Sequence, residues 1–212
     1  MIENLVYVAV VVQIVGKLSY VKDTLKGKTR PNRISWLLWA IAPLIAASAA
    51  VSDGVTLAAV PVFVSGLAPL LVLLASFANR NSYWKLEKSD YLCGLFSLLA
   101  LVLWGVTKEP TVAIVFALLS DLLATLPTLI KSWKFPETET ADAYWAGLFS
   151  ALTSFTAINA WNFSSVTFPT YLVLVNVSLV VCIYRKKIFP AQLRSGVAKA
   201  EAVSKGSVEN TL

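Results

Sequence analysis

The sequence predicts an all-α polytopic membrane protein, with seven transmembrane helices arranged as two parallel three-helix repeats joined by a linker helix. Three observations carry this. Hydrophobic residues make up 57% of the 212-residue chain and charged residues only 14%, where a soluble domain averages about a quarter charged. Too little polar surface remains for a water-facing shell, so lipid must solvate much of the outside. A pattern of apolar helix, basic turn and Trp-rich apolar helix occurs twice. Finally, the cations collect on alternate turns.

The repeat is read by sliding VVQIVGKLSYVKDTLKGKTRPNRISWLLWA onto LLSDLLATLPTLIKSWKFPETETADAYWAGLF. This sets Gln13 against Asp121, Leu18 against Leu126, Ser19 against Pro127, Thr24 against Ser132 and Lys26 against Lys134. A diverged tandem repeat in so apolar a chain points to a membrane protein with its site between similar halves.

A hydrocarbon core of about 30 Å asks for roughly 17–25 apolar residues per helix. Seven stretches meet or approach this: 5–21, 34–51, 55–78, 91–106, 111–130, 143–162 and 168–184. Turn signals separate them, among them KGKTRPNR, SDG, TKEP and KFPETETAD. The first repeat then covers 1–78, the linker helix and its turns 79–110, the second repeat 111–187, and a flexible tail or short surface helix 188–212. Glu3 and the lack of a basic leading segment make the N-terminus a first span rather than a signal peptide.

Lys and Arg set the orientation. With the N-terminus outside, every one of the 18 Lys and Arg except Lys17 and Lys108 falls in an inner segment. The expected location is the cell inner (plasma) membrane, multi-pass, with the C-terminus cytoplasmic. Three spans reverse the chain, so a fourth must intervene before a parallel copy begins. The net charge of +6 follows from these basic turns and gives no reason to expect nucleic acid. Histidine is absent, which removes the commonest metal ligand and general base. Cys93 and Cys182 alone make no metal site and are expected as free thiols. No cofactor is expected.

Three helices, one and three, with a short basic turn between the first two of each repeat, resemble the SWEET and PQ-loop superfamily of parallel-repeat transporters. The likeness is best at LSYVKDTLKGKTRPNRISWLLW and LPTLIKSWKFPETETADAYW and spans nearly all of residues 1–187. More closely, the chain looks like a group of bacterial seven-helix membrane proteins carrying a KTRPNRISWLLWA-like segment, a likeness that implies architecture and no activity. The superfamily resemblance implies hinge prolines, matched by Pro43 and Pro127, and a solute-facing Asn on the last helix of a repeat, matched by Asn176. The Pro-Gln pair of PQ-loop proteins is missing: Leu18-Ser19 and Leu126-Pro127-Thr128 stand there. Ala68 stands where the first repeat would carry its Asn.

Asp121 is the sharpest candidate, because a bare carboxylate near a helix centre costs about 2.5–3.5 kcal/mol on insertion scales. It is protonated, paired with a cation, or faces a wet cavity to bind substrate or a coupling ion; the bland alternative is a hydrogen bond to Gln13 or Ser120. Gln13 occupies the matching depth and should face it across the pseudo-two-fold axis. Lys17 lies near the inner end of its helix, and snorkelling to the headgroups is favoured over pairing with Asp121. Asn176, Asn159 and Trp161 suggest the amide-plus-aromatic wall of a neutral-solute pocket, against helix-to-helix bonding for the amides and a membrane-interface belt for the Trp. Arg30 and Arg33 in one inner turn, and Glu137 and Glu139 in the other, are candidates for a salt-bridged inner gate, with solvated turns as the favoured alternative.

The leading function is a small-solute transporter working by alternating access between two triple-helix bundles, with proton coupling through Asp121 as an option. Pro43 and Pro127 would permit helix bending. The alternative is a membrane receptor or cargo-sorting protein on the same scaffold, without solute flux. An enzyme is disfavoured by the missing His and the lack of paired carboxylates at metal spacing. The expected partners are the lipid bilayer and an unknown small solute; assembly with further chains stays open.

Overall fold

The computed structural model describes residues 4–52, 59–107, 110–158 and 160–188. Within them run seven α-helices: α1 (Asn4–Leu25), α2 (Arg33–Ser52), α3 (Ala59–Ala78), α4 (Lys88–Val106), α5 (Pro110–Lys134), α6 (Asp142–Ser154) and α7 (Phe163–Ile188). Three short 3-10 turns, Arg80–Ser82, Pro136–Thr138 and Phe155–Ala157, sit between helices. No strand occurs among the described residues. The protein is all-α, as its composition predicts. Among the described residues, three stretches are long and apolar enough to cross a membrane: Lys88–Val106, Ile114–Lys134 and Ser165–Ile188. α2 and α3 carry shorter apolar stretches, Arg33–Ser48 and Val62–Ala78.

Each expected segment becomes a helix, but the ends differ in ways the chemistry explains. α1 and α5 run on past their apolar stretches into the basic turns, to Leu25 and Lys134. α6 is shorter than expected, with 13 residues, which at 1.5 Å per residue span only about 20 Å. Its C-terminal end is rich in hydroxyls that bond back to the chain. Thr153 and Ser154 donate to the Ser150 carbonyl and Thr156 to that of Thr153. Such local bonds compete with the helix ladder, and the chain tightens into the 3-10 turn there.

α3 packs on both α1 and α2, and α7 packs on both α5 and α6. Between these groups, α1 lies against α6 and α2 against α5. Exchanging α1 with α5, α2 with α6 and α3 with α7 returns the same set of neighbours. α4 stands outside the exchange and packs on α5 and α2. Its buried positions are Asp90, Gly94, Ser97 and Ala100, a small-residue stripe at helical spacing that lets a neighbouring backbone come close. Ser97 and Ser120 each donate to the other's carbonyl, at 2.7 and 2.9 Å, tying α4 to α5. The rest of α4 turns Leu92, Leu95, Phe96, Leu99 and Val102 outward. Such an apolar exterior suits lipid rather than water.

The turns at the basic end are built locally. Asn32 caps α2, its Oδ1 accepting from the Ile34 and Ser35 N–H groups at 3.1 and 3.3 Å. Gly27 adopts φ +75°, a left-handed conformation that glycine takes without steric cost. The Asn79 amide donates to the Leu25 carbonyl at 2.7 Å, and the Ser82 hydroxyl donates to that of Thr24. The turn after α3 is thereby pinned to the end of α1.

α1 and α6 approach closely at Gly16, where an added Cβ would lie 2.5 Å from Ala146 Cβ and 2.8 Å from the Asp142 carbonyl oxygen. Gly16→Ala should therefore destabilise by about 1–3 kcal/mol. Gly105→Ala, which meets nothing within 4 Å, should instead be neutral or stabilise by up to about 1 kcal/mol. Paired thermal melts in detergent check both; equal melting temperatures would contradict the close contact.

Candidate functional site

A cavity of about 240 Å³ opens between the helices and is lined by every helix except α4. α1 contributes Gln13 and Lys17, and α5 contributes Asp121 and Thr125. α2 brings Trp36, Trp39 and Pro43; α6 brings Tyr144, Gly147 and Ser150; α7 brings Phe168, Leu172 and Asn176; α3 adds Ser65 and Pro69. The repeat register that pairs Gln13 with Asp121 also pairs Lys17 with Thr125 and Trp36 with Tyr144. All six of these side chains line the cavity.

Asp121 does not bond to Gln13 or Ser120. Its Oδ2 accepts from the Tyr171 hydroxyl at 2.8 Å and from Thr125 Oγ1 at 3.4 Å. Ser120 is taken by Ser97 instead. The carboxylate is thus held through Oδ2 by α7 and its own helix, and Oδ1 has no hydrogen-bond donor among the described residues. Asn176 also lines the cavity, and its amide N–H donates to the Leu172 carbonyl at 2.8 Å. Gly147 makes room for it: a Cβ there would collide with the Asn176 carboxamide.

Lys17 faces the cavity, against the snorkelling expectation. Helical side chains lean toward the N-terminus of their own helix. That tilt aims Lys17 back toward Gln13 and away from the basic turn after α1. Lys17 also borders an apolar groove between α1 and α3 lined by Ile14, Val21 and Leu67. Among the described residues, neither the Lys17 ammonium nor the Gln13 amide has a hydrogen-bond or ion-pair partner in the protein.

Trp161 is 70% exposed and stacks on Phe155, with ring centroids 6.0 Å apart; it takes no part in the cavity wall. The short α6 ends before it, which leaves the ring outside the helix layer. Asn159 lies outside the described residues. The two expected hinges fall in different places. Pro43 lines the cavity on α2, while Pro127 is buried on α5 beside Asp90, Ile130 and Lys131.

At the basic end, aromatic rings join the cavity to a buried ion pair. Lys131 and Glu139 form a salt bridge with side chains only 1% and 0% exposed. The same Glu139 carboxylate accepts from the Tyr20 hydroxyl at 2.7 Å and from the Tyr144 hydroxyl at 3.1 Å. Lys131 also donates to the Arg30 carbonyl and stands 5.1 Å from the centre of the Trp84 ring. Tyr20 packs on Trp36, with centroids 4.6 Å apart, and Trp36 and Tyr144 border the cavity. Around this cluster the two inner turns are joined. The Arg30 N–H donates to the Thr138 carbonyl at 2.9 Å, the Thr29 and Thr140 hydroxyls bond each other, and Thr140 donates to Asp23 at 3.0 Å. Ser19 donates to Asp142 at 2.5 Å.

The cross-turn pairing of Arg30 and Arg33 with Glu137 and Glu139 does not form. Arg30 acts through its backbone. Arg33 turns toward α3, bonding the Ser76 hydroxyl and carbonyl at 3.0 and 2.7 Å with its guanidinium 3.9 Å from the Phe77 ring centre. Aromatic faces and a carbonyl suit a planar guanidinium well. Glu137 pairs at the surface with Lys186 at 3.2 Å. Its own backbone N–H, and then Lys186, hold its carboxyl below the usual carboxylate range. Only Glu139 sits in the buried cluster, and its partner is the Lys131 of its own half.

Sequence reasoning missed Tyr171, Thr125 and the role of Lys131. The repeat register would have found Thr125, as the counterpart of Lys17. Nothing in the sequence marks Tyr171. No protein-family model, curated protein or solved structure matches the chain.

Glu139→Gln leaves Lys131 buried beside a neutral partner, so it should destabilise by about 3–5 kcal/mol. Adding Lys131→Met removes the orphaned charge and should recover a large part of that loss. Glu137→Gln, on an exposed pair, should change stability by about 1 kcal/mol at most. Thermal unfolding of the four proteins in detergent checks the ranking; equal effects at Glu137 and Glu139 would contradict the buried cluster.

Proposed function

We propose that this chain is a membrane-embedded small-solute transporter, built as two parallel triple-helix bundles, α1–α3 and α5–α7, joined by α4. The N-terminus lies outside and the basic turns lie in the cytoplasm. The exchange symmetry of the helix neighbours supports the bundle reading, and the Lys and Arg bias supports the orientation. The solute occupies the cavity at the seam, and alternating access comes from rocking of one bundle against the other.

One observation carries the reading. A cavity lined from both halves lies beside a buried ion pair of the second half, to which Tyr20 and the Arg30 carbonyl of the first half are hydrogen-bonded. A purely structural seam would favour apolar packing there, because a buried ion pair gives little net stability over apolar side chains of similar volume. Polar contacts that bridge two moving bodies, by contrast, are well suited to separation and re-formation. In this reading the hydrogen bonds between the two inner turns close the cytoplasmic end. Asp121 offers a carboxylate in the wet cavity, which couples transport to protons if it titrates in the cycle.

The test is uptake from a ¹³C-labelled cell extract into proteoliposomes, read by mass spectrometry against empty liposomes, with and without an acid-outside pH gradient. At least one solute should enter, and the gradient should drive its accumulation. Asp121→Asn should weaken uptake and remove the gradient dependence of what remains. Saturable binding with no uptake of any solute would sink the transporter reading in favour of a receptor on the same scaffold.

A further inference from the structure

We infer that the cavity binds a zwitterionic solute of about amino-acid size, with its ammonium on Asp121 and its carboxylate on Lys17 and Gln13. This rests on the transporter reading and names the chemistry of its substrate. The charges that face the cavity are one cation and one anion, contributed by opposite halves of the molecule. Each lacks a complete set of partners. Asp121 spends Oδ2 on Tyr171 and Thr125 and leaves Oδ1 free. Lys17 has three donors and, among the described residues, no protein acceptor for any of them. Gln13, one helical turn away on the same face of α1, is likewise unengaged and lines the same space.

The two charges also do not pair with each other, since the ion pairs among the described residues are Lys131–Glu139 and Lys186–Glu137. They stand beyond ion-pair distance yet close enough to attract each other, and a solute lying between them meets both signs. A free cation would be repelled by Lys17, and a free anion by Asp121. A neutral polyol could bond to the amides but would leave the two charges to answer only each other across the cavity. A zwitterion supplies an ammonium to the carboxylate and a carboxylate to the ammonium and amide, with charge-assisted bonds at both ends. Size agrees. The cavity of about 240 Å³ lies below the roughly 300–1,000 Å³ of sites for drug-sized ligands, which suits a solute no larger than an amino acid. Trp39, Phe168 and Leu172 give the rest of the wall an apolar character suited to a side chain.

The experiment measures binding and proteoliposome exchange for the twenty common L-amino acids, each beside its primary amide, which lacks the carboxylate, and its N-acetyl form, which lacks the ammonium. Glucose and choline serve as neutral and cationic comparisons. In the wild-type protein at least one amino acid should bind and exchange, and both of its derivatives should bind about ten- to a hundredfold more weakly. Lys17→Met should abolish the preference for the acid over its amide, and Asp121→Asn the preference for the free amine over its N-acetyl form, each without loss of monodisperse folding. The wild-type derivative series stands even if a variant fails to fold. Uptake of extract solutes together with failure of all twenty amino acids would overturn the zwitterion while leaving the transporter reading standing. Tighter binding of glucose, of choline or of either derivative would overturn it as well. Binding of an amino acid without exchange would support the ligand class and sink the transporter reading.

Discussion

The contact on which the arrangement depends is the ion pair between Lys131 and Glu139, withdrawn almost wholly from solvent at the basic end of the bundle. Neither charge tolerates that position alone, because a buried unpaired ion costs several kcal/mol. Each must therefore be surrounded by donors or acceptors in fixed places. Tyr20 on α1, Tyr144 on α6 and the Arg30 carbonyl in the first inner turn meet that demand. Three separate pieces of chain converge because one carboxylate and one ammonium require it. The register of α1 against α6, with Gly16 opposite Ala146, is what brings the Tyr20 hydroxyl within reach.

The same register places the cavity. Tyr20 and Tyr144 are bound to Glu139 on one side and touch the ring system of Trp36 and the cavity wall on the other. Lys17 lies one turn from Tyr20 toward the cavity, and Gln13 one turn further. On α5, Thr125 and Asp121 step away from Lys131 in the same sense. On α1 these residues follow one face from the inner cluster to the cavity; on α5, Asp121 and Thr125 share the cavity face while Lys131 turns toward α4. The two helices differ in sign where they meet the cavity, Lys17 on one and Asp121 on the other. A perfect repeat could not supply that asymmetry, so divergence between the halves is what gives the cavity its dipolar character.

How much of this was legible in the sequence depended on whether periodicity or partner choice decided the outcome. Helix number followed from apolar runs and turn residues, which are local. Gln13 and Asp121 were found because a repeat register and a rare intramembrane carboxylate both pointed to them, and both do line one cavity. The errors arose where a side chain had several partners open to it. Lys17 was close enough to the membrane edge to snorkel, and only the N-terminal tilt of helical side chains decided otherwise. Arg33 and Glu139 were matched across the turns by sign. Yet Arg33 found Phe77 and Ser76, and Glu139 found a lysine of its own half. Lys131 looked like one more cation of a basic turn, because sequence does not show which turn residues are covered. The length of α6 was misjudged because hydrophobicity continues past Ser154, while the hydroxyls that close the helix act through bonds no hydropathy average registers.

The chemistry of the inner cluster bears on how such a seam could move. Closing it with apolar side chains would cost about 25 cal/mol for each square ångström re-exposed to water on opening, with nothing in solution to offset the loss. The inner cluster behaves differently. Its ion pair lies within the second half, so parting the halves would leave Lys131 and Glu139 together. What crosses the seam is the set of hydrogen bonds drawn to that pair, from Tyr20 to Glu139 and from Lys131 to the Arg30 carbonyl. Each such bond to a charged group contributes a net of about 1.5–3 kcal/mol, and water entering the seam can replace it. The charge pair therefore fixes where the two inner turns meet, while the bonds between the turns stay individually exchangeable for water.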